Sequence, residues 1–142
     1  VSIHVRRGDY IKYNNYHQIL PLTYYINVIT KIKETNNEEN IRFIILSDDI
    51  AWCQRVFYNI KDISYFSEYE SITDLILMSY CHVNIISNST FSLMGFLLNQ
   101  NRDKKIIYPE MLDIKWFGTN GPKYIIEDLI PLNTDVKYNL VF

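Results

Sequence analysis

Ile41-Arg42-Phe43-Ile44-Ile45-Leu46-Ser47-Asp48-Asp49 carries the reading of the fold. From Phe43 to Leu46 the apolar residues do not alternate with polar ones. A strand with one wet face would alternate, whereas a strand covered on both faces reads as an unbroken apolar run. The run then stops at Ser47 and two adjacent carboxylates. Such an ending is expected in an open parallel sheet, where ligands sit beyond the carboxyl ends of the strands.

Working outward from Ile41–Leu46, four more runs have the same character: Ser2–Val5, Ile63–Phe66, Val83–Ile86 and Lys105–Tyr108. Helical patterns lie between them. Pro21 leads into Leu22–Lys33, with Tyr25, Ile26 and Ile29 on one side. Asp48 or Asp49 caps a helix through Trp52, Val56 and Phe57. Ser71 opens a helix over Ile72–Tyr80, with Asp74 placed as the acidic member of a capping box. A last helix follows Thr90 and runs to about Asn99. This alternation predicts an α/β fold, a doubly wound parallel Rossmann-like sheet with right-handed crossovers. Asn36–Asn40 reads as a turn-rich loop. The segment 110–142, with Trp116, Gly118, Gly121 and Pro122, reads as irregular chain.

A length of 142 residues predicts one domain, 1–142. Val1–Val5 reads as a strand already under way, so the chain is expected to be the later part of a longer protein. With 48% hydrophobic and 21% charged residues it can bury a core, which excludes a disordered chain. The net charge of −2 is mixed along the sequence without a basic stripe, which argues against a nucleic-acid partner. No signal peptide and no apolar run of about 18 residues is present. The expected location is cytoplasmic or peripheral to a membrane, if the source is bacterial. Cys53 and Cys81 stand outside any zinc-ligand spacing and read as two buried thiols.

Polar clusters follow three of the strands. The first is His4-Val5-Arg6-Arg7-Gly8-Asp9-Tyr10. Adjacent arginines on an extended segment point opposite ways, so one can face a crevice while the other pairs inward. A guanidinium fork matches phosphate oxygens and keeps its charge. Asp9 can orient an arginine and Gly8 permits a tight turn. A plain ion pair at a strand end is the competing reading, with His4 either a hydrogen-bonded interior residue or a ligand contact. The second cluster, Ser47-Asp48-Asp49, has three readings. It could bind Mg²⁺ for a nucleoside diphosphate, accept hydrogen bonds from a guanine edge, or cap a helix and leave one carboxylate free. The third, Ser87-Asn88-Ser89-Thr90-Phe91-Ser92, joins a strand to a helix. Unpaired N–H groups and the positive end of the helix dipole suit a phosphate there; a generous helix cap is the alternative. His17 and His82 read as structural or surface residues.

His4–Tyr10 resembles the HxRRxD motif of the α-1,2-fucosyltransferases, glycosyltransferase family 11, which α-1,6- and protein O-fucosyltransferases share more loosely. Ser47-Asp48-Asp49 with Trp52-Cys53 resembles the second motif of that family. Asp74–Ser79, Cys81-His82 and Asn88-Ser89-Thr90-Phe91-Ser92 resemble the third, although Leu93 and Met94 stand where aromatic residues are common. The resemblance implies a GT-B-type enzyme of two Rossmann-like domains, this chain being the C-terminal, donor-binding one. It implies inverting transfer of L-fucose from GDP-fucose to the 2-hydroxyl of a galactose-terminated glycan, with no cofactor and no obligatory metal. It implies catalytic roles for Arg6, Arg7 and Asp9, and donor contacts from His4, Arg6, Arg7, Asp48, Asp49, Asn88, Ser89, Thr90 and Ser92. Within those sets, an arginine would hold the diphosphate and an aspartate of the 48–49 pair would read guanine. The other readings are a module that binds GDP without turnover and a Mg²⁺-dependent phosphoryl-transfer domain built on Asp48-Asp49.

Overall fold

Each apolar run is a strand: β1 (Ser2–Val5), β2 (Phe43–Ser47), β3 (Ile63–Phe66), β4 (Val83–Ile85) and β5 (Lys105–Pro109). The helices are α1 (Gly8–Lys12), α2 (Leu22–Thr35), α3 (Ile50–Val56), α4 (Ser71–Tyr80) and α5 (Thr90–Leu97). The computed structural model describes residues 1–35, 40–66 and 71–109, and the backbone of 129–132 and 138–141. The latter two stretches form β6 (Leu129–Leu132) and β7 (Tyr138–Val141).

The seven strands make one sheet in the order β3-β2-β1-β4-β5-β7-β6. Strands β1 to β5 are mutually parallel, as predicted, and β7 runs antiparallel to both β5 and β6. The expectation that 110–142 is irregular is therefore corrected at 129–132 and 138–141. Those strands are short, and Pro131 interrupts the pattern of one; β6 is an edge strand, where proline is tolerated. Trp116, Gly118, Gly121, Pro122 and most of the Asn36–Asn40 loop lie outside the described residues. Helix α1 was not anticipated: its five residues lie inside the first polar cluster, with too few apolar positions to show a period.

Side-chain parity explains the non-alternating runs. Ile3, Val5, Phe43, Ile45, Ile85 and Ile107 face one layer, formed by Tyr24, Tyr25, Val28 and Ile29 of α2 and by Cys53 and Phe57. Leu46, Ile86, Ile106 and Tyr108 face the other, where Met78 of α4 and Leu93 and Phe96 of α5 pack. A Cβ on Gly95 would lie 2.6 Å from Met78 Sδ, so this glycine sets how closely α4 and α5 approach. Edge strand β3 is only half-buried. No described helix is long and apolar enough to cross a membrane.

The chain leaves β1 toward β2 and β3 on one side, and β4 and β5 lie on the other. The gap between the β1 and β4 carboxyl ends is thus the topological switch point, where open α/β sheets place their ligands. At the opposite rim, around β1 and β4, neutral polar groups close the sheet, while Arg42 and Asp62 form an exposed ion pair where β2 and β3 begin. Asn84 Nδ2 donates to Ser2 Oγ at 2.7 Å and to the Met78 carbonyl at 2.8 Å. Asn99 Nδ2 donates to Asn84 Oδ1 at 3.0 Å, and Asn99 Oδ1 accepts from Asn101. Ser2, Asn84 and Asn99 are buried.

Candidate functional site

The register of β1 on β2 pairs Val5 with Ser47. The next residues of each strand, Arg6-Arg7 and Asp48-Asp49, therefore leave the sheet side by side. Ser47 Oγ donates to the Val5 carbonyl at 2.7 Å and accepts the Asp49 N–H at 3.0 Å, which ties the two exits together. Asp49 is the N-cap of α3, its Oδ1 accepting the Trp52 N–H at 3.2 Å. Its Oδ2 accepts from Arg7 Nε at 3.2 Å. The Arg7 guanidinium also lies 3.8 Å over the Trp52 ring, in cation–π geometry.

Arg6 turns the other way, as neighbours on extended chain should. Its Nη1 is 3.2 Å from Asp48 Oδ2, and its guanidinium lies 5.6 Å from the Tyr10 ring centroid. Its Nε is 2.9 Å from Asp9 Oδ1, but this N–H is not aimed at the oxygen: the two form an ion pair by distance without a directed hydrogen bond. The Arg7 side chain is 18% exposed and that of Arg6 30%, so Arg6 is the arginine of the pair nearer the solvent. The expectation that one aspartate is left free is not met. Asp48 Oδ1 accepts the Arg7 main-chain N–H at 2.8 Å, so all four oxygens of Asp48 and Asp49 have nitrogen neighbours.

Gly8 also has a different task from the one expected. It opens α1, and a Cβ there would lie 2.9 Å from Asp48 Oδ2. Its missing side chain makes room for the carboxylate.

The third cluster reaches the same rim. His4 is buried, its Nδ1 2.8 Å from Ser87 Oγ and its ring centroid 5.2 Å from that of Phe91. Burial, and then the charge of Arg6, push its pKa down to about 3, so the imidazole is neutral. Tyr10 Oη donates to the Asn88 carbonyl at 3.0 Å, which bridges the exits of β1 and β4. Burial raises its phenol above the ordinary value. Asn88 Nδ2 donates to the Gln18 carbonyl at 2.7 Å. Ser92 is fully buried and its hydroxyl points at main-chain carbonyls, with the Ser89 oxygen at 2.9 Å. Ser89 is buried at the N-cap of α5 without a side-chain cap bond, and Thr90 is exposed. Unlike α3, helix α5 thus begins with its first N–H groups uncapped by the Ser89 side chain.

All three clusters meet at one rim, at the switch point. Asp9, Asp48 and Thr90 are exposed, His4, Ser89 and Ser92 lie inside, and Arg6, Arg7, Asp49 and Asn88 are half-buried. With Arg6 and Arg7 against Asp9, Asp48 and Asp49, the cluster is not a net-positive patch. It offers an anion directed donors, those of Arg6 and of the α5 N-terminus. Cys53 lies beneath it as a free thiol that burial raises to about 11; Cys81 is free and half-buried rather than buried as expected. Residue patterns alone do not reveal that Tyr10 bridges two strand exits, that His17 stacks on Tyr10 at 4.4 Å, or that Trp52 is the platform for Arg7. The first and last depend on pairs far apart in the chain, and the second on the turn that follows α1.

Residues 1–123 match the family model described as Glycosyl transferase family 11. The chain belongs to glycosyl transferase family 11. Among relatives of this family member is the O-antigen biosynthesis glycosyltransferase WbnK of Escherichia coli. The two are 38% identical over 138 residues, which is 92% of this chain and 44% of the relative. An alpha-1,2-colitosyltransferase of Escherichia coli is 36% identical over 102 residues, 67% of this chain and 34% of the relative. The chain thus spans less than half the length of these relatives. No solved structure matches. The family expected from the His4–Tyr10 motif is the one found, and the β1–β5 sheet with its flanking helices is the Rossmann-like arrangement expected of it.

Proposed function

We propose that the protein carrying this chain binds a GDP-sugar at the β1/β4 switch point and transfers the sugar to a glycan hydroxyl. In the finer reading the donor is GDP-fucose and the acceptor the 2-hydroxyl of a terminal galactose. The observation that carries it is Arg6: a guanidinium flanked by Asp9 and Asp48, partly exposed, on the rim where α5 begins uncapped. In the transfer the acceptor hydroxyl bonds to C1 of the sugar on the face opposite the nucleotide. The bond from C1 to the β-phosphate oxygen breaks, and GDP departs with the electron pair. The hydroxyl proton passes to a base that the described residues do not single out. Negative charge grows on the departing phosphate, and donors already fixed in place stabilise it without reorganising. Arg6 supplies such donors, and the α5 N-terminus with Thr90 supplies the positive end of a helix dipole.

Arg7, stacked on Trp52 and bonded to Asp49, buttresses this arrangement from below. His4, Ser89 and Ser92 shape the wall, with Asn88 at its edge. Guanine recognition by Asp48 or Asp49 would exchange an arginine contact for the base edge.

Calorimetry on the intact protein tests the reading with GDP, UDP and ADP. GDP should bind most tightly, and Arg6→Ala should weaken it; unchanged affinity in that variant would defeat the assignment. Incubation with GDP-fucose or the corresponding colitosyl donor, followed by NMR of the product linkage, tests the sugar and the bond formed. Binding without turnover of either donor would favour a nucleotide-binding module. Loss of GDP binding in EDTA would favour the Mg²⁺-dependent alternative.

A further inference from the structure

Asp48 touches both arginines, with a different oxygen for each. Its Oδ1 accepts the main-chain N–H of Arg7 at 2.8 Å, and its Oδ2 lies 3.2 Å from Arg6 Nη1. The same Oδ2 occupies the space that a side chain on Gly8 would need. Three successive residues are thus shaped around one carboxylate. A carboxylate anchored by a main-chain N–H cannot swing freely, so its second oxygen is a fixed point for whatever pairs with it. The guanidinium of Arg6 is a rigid planar fork with five N–H donors. Asp9 stands beside Nε and Asp48 beside Nη1, which sets the fork from two sides. Both contacts are ion pairs by distance, and none of the described residues hydrogen-bonds to the Nη2 end. An ion pair this exposed adds only ~0–1 kcal/mol of stability. Its consequence is orientation. Asp49 serves elsewhere, on the α3 cap and on Arg7.

We infer that Asp48 is a positioning residue for the donor: it acts through Arg6, holding the guanidinium so that the Nη2 end meets the diphosphate, and Gly8 keeps its place open. This rests on the reading of the rim as a GDP-sugar site. It gives Asp48 a task distinct from reading the base, and nucleotide chemistry separates the two. Inosine diphosphate differs from GDP only in lacking the exocyclic amino group that a base-reading carboxylate would accept.

The test is a double-mutant cycle on the intact protein, with dissociation constants for GDP and inosine diphosphate measured by calorimetry. Asp48→Asn keeps an acceptor for the Arg7 N–H but loses the charge that holds Arg6. It should weaken GDP about tenfold, yet by less than about twofold in an Arg6→Ala background, because contacting residues are coupled. The ratio of GDP to inosine diphosphate affinity should match the parent protein. Equal losses in both backgrounds would overturn the inference, as would collapse of that ratio. If Asp48→Asn does not fold, Gly8→Ala, which displaces the carboxylate but keeps its charge, takes its place in the same cycle. A parent protein that binds no nucleoside diphosphate overturns the donor reading and the role of Asp48 together. Additive losses in a protein that does bind GDP overturn the role of Asp48 alone.

Discussion

Around β1 and β4, the two rims of the parallel sheet hold their polar groups in opposite ways. At the amino-terminal rim, Ser2, Asn84 and Asn99 are buried and bond to one another and to main-chain carbonyls with neutral groups. At the carboxyl-terminal rim, Arg6, Arg7, Asp9, Asp48 and Asp49 pair as ions and remain partly exposed. A neutral amide can be enclosed once its hydrogen bonds are made, whereas enclosing an ion costs several kcal/mol even when it is paired. The closed rim contributes stability; the open rim keeps charged donors within reach of a ligand. A polar cluster in such a sheet is therefore informative through its exposure and charge, beyond its mere presence.

The comparison breaks most visibly through Asn84→Ala. Removing that amide takes away the Asn84 partner of buried Ser2 and one of several partners of Asn99, at a cost of about 2 kcal/mol in urea denaturation, while GDP affinity stays within about twofold. Arg6→Ala should do the reverse. Hydrogen bonds to charged groups are worth about 1.5–3 kcal/mol, so GDP affinity should fall roughly tenfold to a hundredfold with little loss of stability. If both variants lose stability and affinity alike, the rims are not functionally distinct.

A smaller effect separates the helix starts at the open rim. Asp49→Ala removes the α3 cap and should cost about 1 kcal/mol of stability by thermal unfolding, whereas Ser89→Ala, which removes no cap bond, should cost less than about 0.5 kcal/mol. Equal losses would mean that α5 is capped after all.

A separate effect concerns pH. His4 carries a folded-state pKa of about 3 against an ordinary 6.5. Between those values the unfolded chain binds a proton that the folded protein does not. Its contribution to stability is therefore complete above 6.5 and is lost as pH falls toward 3. His4→Gln should flatten the stability profile between pH 6.5 and about 5, a range in which ordinary carboxylates stay mostly ionised. An unchanged slope would show that His4 is not held neutral.

Much of the molecule was legible before its coordinates. Strands β1 to β5 follow from non-alternating apolar runs, because a strand between two helical layers must be apolar on both sides. The sites of the polar clusters follow too, since groups that need solvent or a ligand collect where strands end. Helix α1 was not legible because Gly8–Lys12 is too short for a helical period to emerge. Strands β6 and β7 escaped because each is only four residues long and Pro131 interrupts the apolar run of one.

By itself the sequence determined the parallel sheet, its two covered faces and the rim at which charged groups gather, because hydrophobic spacing and strand-end polarity are properties of neighbouring residues. Only the tertiary structure decided that Asp49 caps α3 while Asp48 spans both arginines, that Arg7 is stacked inward on Trp52, and that Arg6 is left toward the solvent. Those choices depend on the register that sets Val5 beside Ser47, and a register between segments some forty residues apart is fixed by the packing of the whole sheet.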